Sequence, residues 1–402
     1  MTYHLYTVMP LFVVFFWLIL FLLNNQTRDL PKRFLTVFLV VVFINYLGHQ
    51  IYFTHNYVIY KVFDGIWVFT SLSVYPIYYY YLRLLTVDKR IQFKWSWILL
   101  PAISLSIFTA IIYLLMNPNE IDRFIQEILY HNREVQDEYN SLIQLQIFRI
   151  NLFKIVFVIE VLLTLIFGLR LIADFNKKIR AIYSNIDNKE IPNVRMLLFF
   201  LVLTAVISGV SNLIGKDFFI DYPYMLVLPS IAHSIALFGI CYVGYNQNFT
   251  ISNLEEDQFI GEHEDIHEES KAESMVGLEF DRLYLRIKEL FEKEKLFKDS
   301  ELKMNDLALR LGTNRTYVSR LIHERTNKSF CDFVNDYRVI HAEELLSSPN
   351  EFSLSIEKVA FESGFSGISS FYRAFVKKNG IPPGKYRKMK IANFVEDEDE
   401  KF

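Results

Sequence analysis

Three arginines near the C-terminus, Arg315, Arg320 and Arg373, stand on the open faces of amphipathic helical stretches. A guanidinium so placed can fork onto a guanine edge or hold a phosphate, the two chemistries by which proteins grip DNA. A second motif, His263-Glu264-Asp265-Ile266-His267, is a literal match to the zinc-protease pattern. That pattern needs a helix that puts two imidazoles on one face, a general-base Glu, a further ligand and a buried setting. Asp265 places a charge where such enzymes carry uncharged residues. The surrounding Asn253–Met275 is dense in Glu and Asp, with Lys271 its only Lys or Arg. A stretch of that composition without apolar periodicity is a solvated, flexible linker, so neither a metal site nor catalysis is expected there.

The arginines are positioned by a repeated pattern. MNDLALRLGTNRTYVSRLIHE, from Met304 to Glu324, has one apolar-periodic helix (Leu307, Ala308, Leu311), a Gly312-Thr313-Asn314 break, and a second helix carrying Val318, Leu321 and Ile322. Asn314 is a good N-cap for the second helix. Two short helices joined by a Gly-containing turn make a helix-turn-helix. About fifty residues on the pattern recurs: Val359 and Ala360, a Gly364-Phe365-Ser366 turn, then a helix with Phe371 and Phe375 inward and Arg373 outward. A long helical segment from about Phe330 to Ser347 bridges the copies.

From Leu278 to Met389 these residues resemble the AraC/XylS-type DNA-binding domain. The resemblance is carried by both helix pairs, by Tyr337-Arg338, by Phe371-Tyr372-Arg373, and by the closing Gly380…Pro383-Gly384-Lys385-Tyr386-Arg387. It implies double-stranded DNA as a partner, with the second helix of each pair in the major groove. By position against the family's motif, the DNA-contacting candidates are Arg315, Thr316, Ser319 and Arg320 in the first copy. Those in the second are Ile368, Ser369, Tyr372 and Arg373. The start of the second recognition helix, Gly367-Ile368-Ser369-Ser370, is small and bland, which favours shape readout or backbone anchoring over direct base reading. From Leu302 to Lys390, Lys and Arg outnumber Asp and Glu by six, enough to steer the domain toward phosphates.

The rest of the chain is a different material. The whole has a formal net charge of −3, is 52% hydrophobic and 16% aromatic, and has a mean hydropathy of +0.21. Its apolar residues concentrate before residue 245. Seven stretches, near 4–23, 34–54, 62–85, 96–116, 147–171, 196–215 and 222–244, are long and apolar enough for membrane helices. The first is read as a retained span, because Met1–Met9 lacks Lys and Arg and no small-residue cleavage site follows Leu23. Basic residues gather in alternate gaps (Arg28, Lys32, Arg33; Arg83, Lys89, Arg90, Lys94; Arg170 to Arg195), whereas Asn117–Gln146 is mostly acidic. The positive-inside rule then sets the N-terminus outside and the DNA-binding domain in the cytoplasm. The family's arrangement implies a bacterial inner membrane.

The expected fold is therefore all-α. A seven-helix transmembrane bundle (1–245) is followed by an acidic flexible linker (246–277). An AraC-type domain with two helix-turn-helix motifs joined by a long helix (278–390) and an acidic tail (391–402) complete it. The expected function is a membrane-bound one-component transcription regulator, not an enzyme. A transporter or scaffold with an accessory DNA-binding domain is the alternative. Polar groups inside spans are costly, so each is a site candidate: Asn45, His49, Asp64, Lys154, Glu160, Asn212 and His233. They either line a sensor pocket, with Tyr46 and Tyr75 as walls, or tie helices together by hydrogen bonds. Tyr78–Tyr81 reads as an interfacial aromatic belt, and Ile121–Tyr130 as a surface connector or a lid. The stripe Leu283, Ile287, Leu290 and Phe291 packs on its own domain or pairs in a homodimer. Cys241 and Cys331 fall in separate domains, which argues against a disulfide. No phosphate-cradling loop, kinase, cyclase, receiver or nucleophile motif is present, and no cofactor is implied. The ligand is unknown, outside the cell or in the membrane, and the bilayer itself is a partner.

Overall fold

The computed structural model describes residues 2–23, 29–54, 57–130, 140–186, 192–214, 216–247, 250–254, 277–348 and 353–399. His263–His267 lies outside the described residues, as does most of the acidic linker. Among the described residues the chain is helical throughout, with no strand beyond one isolated bridge between Tyr183 and Lys303. It divides into two compact units: residues 1–173 with 191–251, and residues 174–190 with 252–402.

The first unit is built from apolar helices: α1 (Thr2–Leu23), α2 (Leu30–Phe53), α3 (Tyr57–Thr86), α4 (Leu100–Leu115), a short α5 (Pro118–Arg123), most of α6 (Ser141–Ile182), α7 (Pro192–Ile214), a short α8 (Lys216–Asp221) and α9 (Val227–Asn246). Five helical stretches are long and apolar enough to cross a membrane by length and composition; Val8–Leu23 and Phe199–Ser211 are shorter apolar helices. All seven fall where the apolar stretches predict them. Neighbours pack in the order α4, α3, α2, α1, α9, α7. Many large apolar side chains point outward, among them Phe12, Val37, Ile155, Leu162 and Ile235. An outward apolar surface of that extent suits a lipid environment rather than water.

Two sequence expectations change here. Tyr78, Tyr80 and Tyr81 are buried inside the unit rather than forming an interfacial belt. Tyr78 lies against Phe38, and the Tyr80 hydroxyl accepts a hydrogen bond from the Gln92 amide at 2.7 Å. Ile121–Tyr130 is not a solvated connector either. A one-turn π-helix, Phe124–Tyr130, buries Phe124, Ile125 and Tyr130. Tyr130 stacks on Tyr52 at 4.4 Å and 3°, its hydroxyl donating to the Tyr52 carbonyl at 2.8 Å while the Tyr52 hydroxyl donates to the Leu129 carbonyl at 2.6 Å. Aromatic area buried with its polar tips satisfied holds the segment onto the helix ends.

The second unit contains α10 (Gly277–Glu292), α11 (Met304–Leu311), α12 (Arg315–Thr326), α13 (Phe330–Ser347), α14 (Ile356–Glu362), α15 (Ile368–Asn379) and α16 (Pro383–Asp399). Each helix-turn-helix has its own core. In the first, Ile287, Leu290 and Phe291 of α10 meet Leu307, Val318, Leu321, Ile322, Phe330 and Val334. The stripe on α10 is thus used within the domain, with Leu283 packed beside it. In the second core, Val339, Ala342 and Leu346 meet Val359, Ala360, Phe365, Phe371 and Phe375. Helix α13 serves both, contributing Phe330, Phe333 and Val334 to one core and Val339, Ala342 and Leu346 to the other. Each of these side chains other than Ala342 contributes about 1.5–3 kcal/mol by burial, so the shared helix fixes the two motifs in one domain. The last helix runs on to Asp399, so the predicted acidic tail continues α16 among the described residues.

Candidate nucleic-acid interface and a cavity in the apolar unit

The first recognition helix is set by its ends. Gly312 takes φ +66°, a left-handed conformation open to glycine, and closes α11. Asn314 then caps α12, its side chain accepting from the Tyr317 amide at 2.8 Å. With Val318, Leu321 and Ile322 fully buried, the opposite face carries Thr316 and Arg320 exposed and Arg315 and Ser319 half-buried. Arg320 Nε lies 2.7 Å from Glu324 Oε1, one turn on, with its side chain 71% exposed. Any further acceptor must compete with that carboxylate for the guanidinium.

The second recognition helix repeats the register. Both α12 and α15 have 12 residues, and Arg315, Thr316, Ser319 and Arg320 occupy the same places as Ile368, Ser369, Tyr372 and Arg373. In α15 the buried Phe371 and Phe375 turn all four outward, and each is exposed. Arg373 Nε donates to the Ser369 carbonyl at 3.4 Å. The Gly367 N-cap gives no side-chain hydrogen bond, which leaves the first amides of α15 suited to an anionic oxygen. The eight candidates therefore form two equivalent stripes, one rich in hydrogen-bonding groups and one with an apolar leading residue.

The first unit holds a cavity of about 360 Å³. Four of the seven span candidates line it: Asn45, His49, Lys154 and His233. Tyr46, Tyr75, Ser208 and an apolar wall that includes Trp67, Phe153 and Phe157 complete much of the lining. Asn45 Nδ2 donates to Ser71 Oγ at 2.6 Å. His233 Nδ1 lies 2.8 Å from the Pro229 carbonyl and Nε2 lies 3.1 Å from Ser208 Oγ. A carbonyl can only accept, so Nδ1 carries the proton and Nε2 accepts the Ser208 hydroxyl. Tyr46 stands edge-on to His233 at 5.9 Å, and His49 edge-on to Trp67 at 5.6 Å. Lys154 and Val158 are exposed at the α6 side.

Two of the other span candidates, Asp64 and Glu160, are not among the residues that line it. Asp64 is fully buried in an ion pair with Arg149, Arg149 Nη2 lying 3.1 Å from its Oδ2. Tyr60 and Tyr113 hydroxyls donate to the same carboxylate at 3.3 and 3.1 Å, and Arg149 Nε donates to Gln146 at 2.7 Å. That network ties α3, α4 and α6 together, the structural alternative for such groups. Glu160 is 7% exposed, and among the described residues neither carboxylate oxygen has a hydrogen-bond partner. Asn212 lies in α7, and its side chain is outside the described part. Sequence reasoning overlooked Arg149, whose partner lies 85 residues away; the signal available was an isolated Arg inside an apolar run. Both cysteines, Cys241 and Cys331, are buried, and neither forms a disulfide. Among the described residues no cluster of His, Cys, Asp or Glu is placed to hold a metal ion.

Residues 307–389 match the family described as a helix-turn-helix domain. The chain is 33% identical over 89 residues to the Msm operon regulatory protein of Streptococcus mutans, covering 22% of this chain and 31% of that one. It is 32% identical over 92 residues to an uncharacterized HTH-type transcriptional regulator, YtdP, of Bacillus subtilis, covering 23% and 12%. It is 30% identical over 91 residues to the melibiose operon regulatory protein of Escherichia coli K12, covering 23% and 29%. The chain thus spans less than a third of the length of these curated relatives. The family match falls within the second unit, where the two stripes lie. The C-terminal part of this chain is an AraC-type helix-turn-helix domain.

Proposed function

We propose that the protein is a membrane-bound one-component transcription regulator. The AraC-type domain binds specific DNA in the cytoplasm, and the apolar unit senses a signal in or across a bacterial inner membrane. The observation that carries the reading is the equivalence of Arg315/Thr316/Ser319/Arg320 and Ile368/Ser369/Tyr372/Arg373 on two equal helices of one domain. That domain shares a chain with helices long and apolar enough to cross a membrane. Successive major-groove faces lie one turn apart, so the two stripes together cover about two turns of DNA. Operon-regulating relatives of the same domain support the transcriptional role.

The cavity is the sensing site in this reading. At about 360 Å³ it falls in the range of small-molecule pockets. Its aromatic wall suits an apolar body, and Asn45, His49, Lys154 and His233 suit a ligand with hydrogen-bonding or anionic groups. The test is DNA binding by the full-length protein in detergent or nanodiscs across a salt series. Affinity for a preferred fragment should fall steeply with salt, since several phosphates release counterions on binding. Salt-independent binding, or no preference among fragments, would sink the reading.

A further inference from the structure

Helix α6 ends inside the second unit. Its residues 174–182 belong to that unit by their packing, and Phe175, Ile179, Ile182 and Tyr183 are buried there. Past Ile182 the chain pairs with the segment that leads into α11. Tyr183 forms an antiparallel bridge with Lys303, and the Ser184 amide donates to the Leu302 carbonyl at 3.1 Å. The Ser184 hydroxyl donates to the same carbonyl at 2.6 Å, and Asn185 Nδ2 donates to Glu301 Oε1 at 2.8 Å.

Arg338 receives this segment from the other side. Its guanidinium is 1% exposed and donates to Ser184 Oγ at 3.2 Å and to the Ser184 carbonyl at 3.4 Å. It also donates to the carbonyls of Phe297 at 2.8 Å and Asp299 at 2.7 Å. Arg338 sits on α13 between Val334 of the first core and Val339 of the second. Gly364, at the turn of the second helix-turn-helix, takes φ +89° and backs so closely onto Phe297 O and Lys298 that a side chain would collide. One guanidinium therefore joins the end of α6, the 297–299 segment and the seam between the two motifs.

We propose that residues 179–185 are a docking strap on the DNA-binding domain, held by Arg338, that sets the placement of the two recognition helices. Movement of α6 then reaches the DNA-binding domain through the helix itself rather than through residues 246–277. The effect on transcription rests on the function proposed above; the docking does not.

The test uses full-length protein in membranes. An antiparallel bridge brings Cα atoms to about 4.5–5.5 Å, within disulfide reach. Tyr183→Cys/Lys303→Cys should therefore form a reducible cross-link on mild oxidation, mapped by peptide mass. Absence of the cross-link in protein whose C-terminal domain still resists protease would overturn the docking. Ile179→Asp and the milder Asn185→Ala should speed amide exchange in 296–303 and at the Gly364 turn, by about tenfold or more for the first. Unchanged exchange in both variants would overturn the strap even if the cross-link forms. DNA occupancy should fall with exchange at unchanged protein abundance. Occupancy unmoved while exchange rises would overturn the control of DNA binding, and a wild type without any DNA sites would sink the regulator reading and leave the docking standing.

Discussion

Among the described residues two arginines are buried almost completely, one in each unit, and they are satisfied in opposite ways. Arg149 in α6 faces a carboxylate, Asp64, itself held by two tyrosine hydroxyls. Arg338 in α13 makes no ion pair among the described residues; carbonyls from Phe297, Asp299 and Ser184 surround it. Burial lowers its pKa to about 10, and it stays charged at neutral pH. In an apolar helical unit a buried charge is costly unless an opposite charge and polar side chains lie at close range, as Asp64, Gln146, Tyr60 and Tyr113 do here. In the second unit, turns and helix ends supply backbone carbonyls, and a fork of donors can bind several at once. The first arrangement ties helices; the second ties segments that are distant in sequence.

That contrast has measurable consequences. The largest belongs to the ion pair. Arg149→Met leaves Asp64 buried and uncompensated, and should cost about 3–5 kcal/mol, read from thermal unfolding in detergent. Replacing both, Arg149→Met with Asp64→Leu, should recover most of the loss; an equal loss in the double variant would break the pairing account. Arg338→Met strands several carbonyls instead of a charge, and should cost about 2–4 kcal/mol with no single partner substitution that rescues it. Arg338→Lys should recover little, since an ammonium cannot span the fork of carbonyls.

A smaller effect tests the seam that Arg338 joins. Gly364→Ala meets both a left-handed φ and the backbone at Phe297, and should cost about 1–3 kcal/mol of domain stability. Smaller still is the ion pair between Lys377 of α15 and Asp332 of α13, at 2.7 Å. Burial pushes the Asp332 pKa up, but hydrogen bonds from Lys377 and Ser329 and the Lys377 charge outweigh it, so the net value lies below 3.8. The pair's contribution is therefore present above pH 3.8 and fades as the pH falls through the lowered value. Lys377→Met should cost under about 1 kcal/mol at neutral pH, and the gap to wild type should close in acid. A gap that widens in acid would contradict the assignment.

Much of the second unit was legible in the sequence because helical periodicity names faces. Val318, Leu321, Ile322, Phe371 and Phe375 are buried as their spacing predicts, and Asn314 caps α12. Periodicity does not name partners, however. It could not join Arg149 to Asp64, nor Ser184 to Leu302 across 118 residues. It also misjudged Tyr78–Tyr81, since a tyrosine run looks the same at a lipid interface and between helices. In the cavity, polarity inside an apolar run found Asn45, His49, Lys154 and His233. The same signal also flagged Asp64, which serves the ion pair instead, because polarity marks a cost without saying what offsets it.

In the proposed function the two stripes read DNA for a membrane-held regulator. Genome-wide crosslinking of the full-length protein, beside an Arg320→Ala/Arg373→Ala variant, puts that to the test. Discrete sites in the wild type that lose most of their occupancy in the variant are the predicted result, with each arginine worth about 1–3 kcal/mol if it reads a base. No enriched sites under several growth conditions, or sites that persist unchanged in the variant, would contradict it.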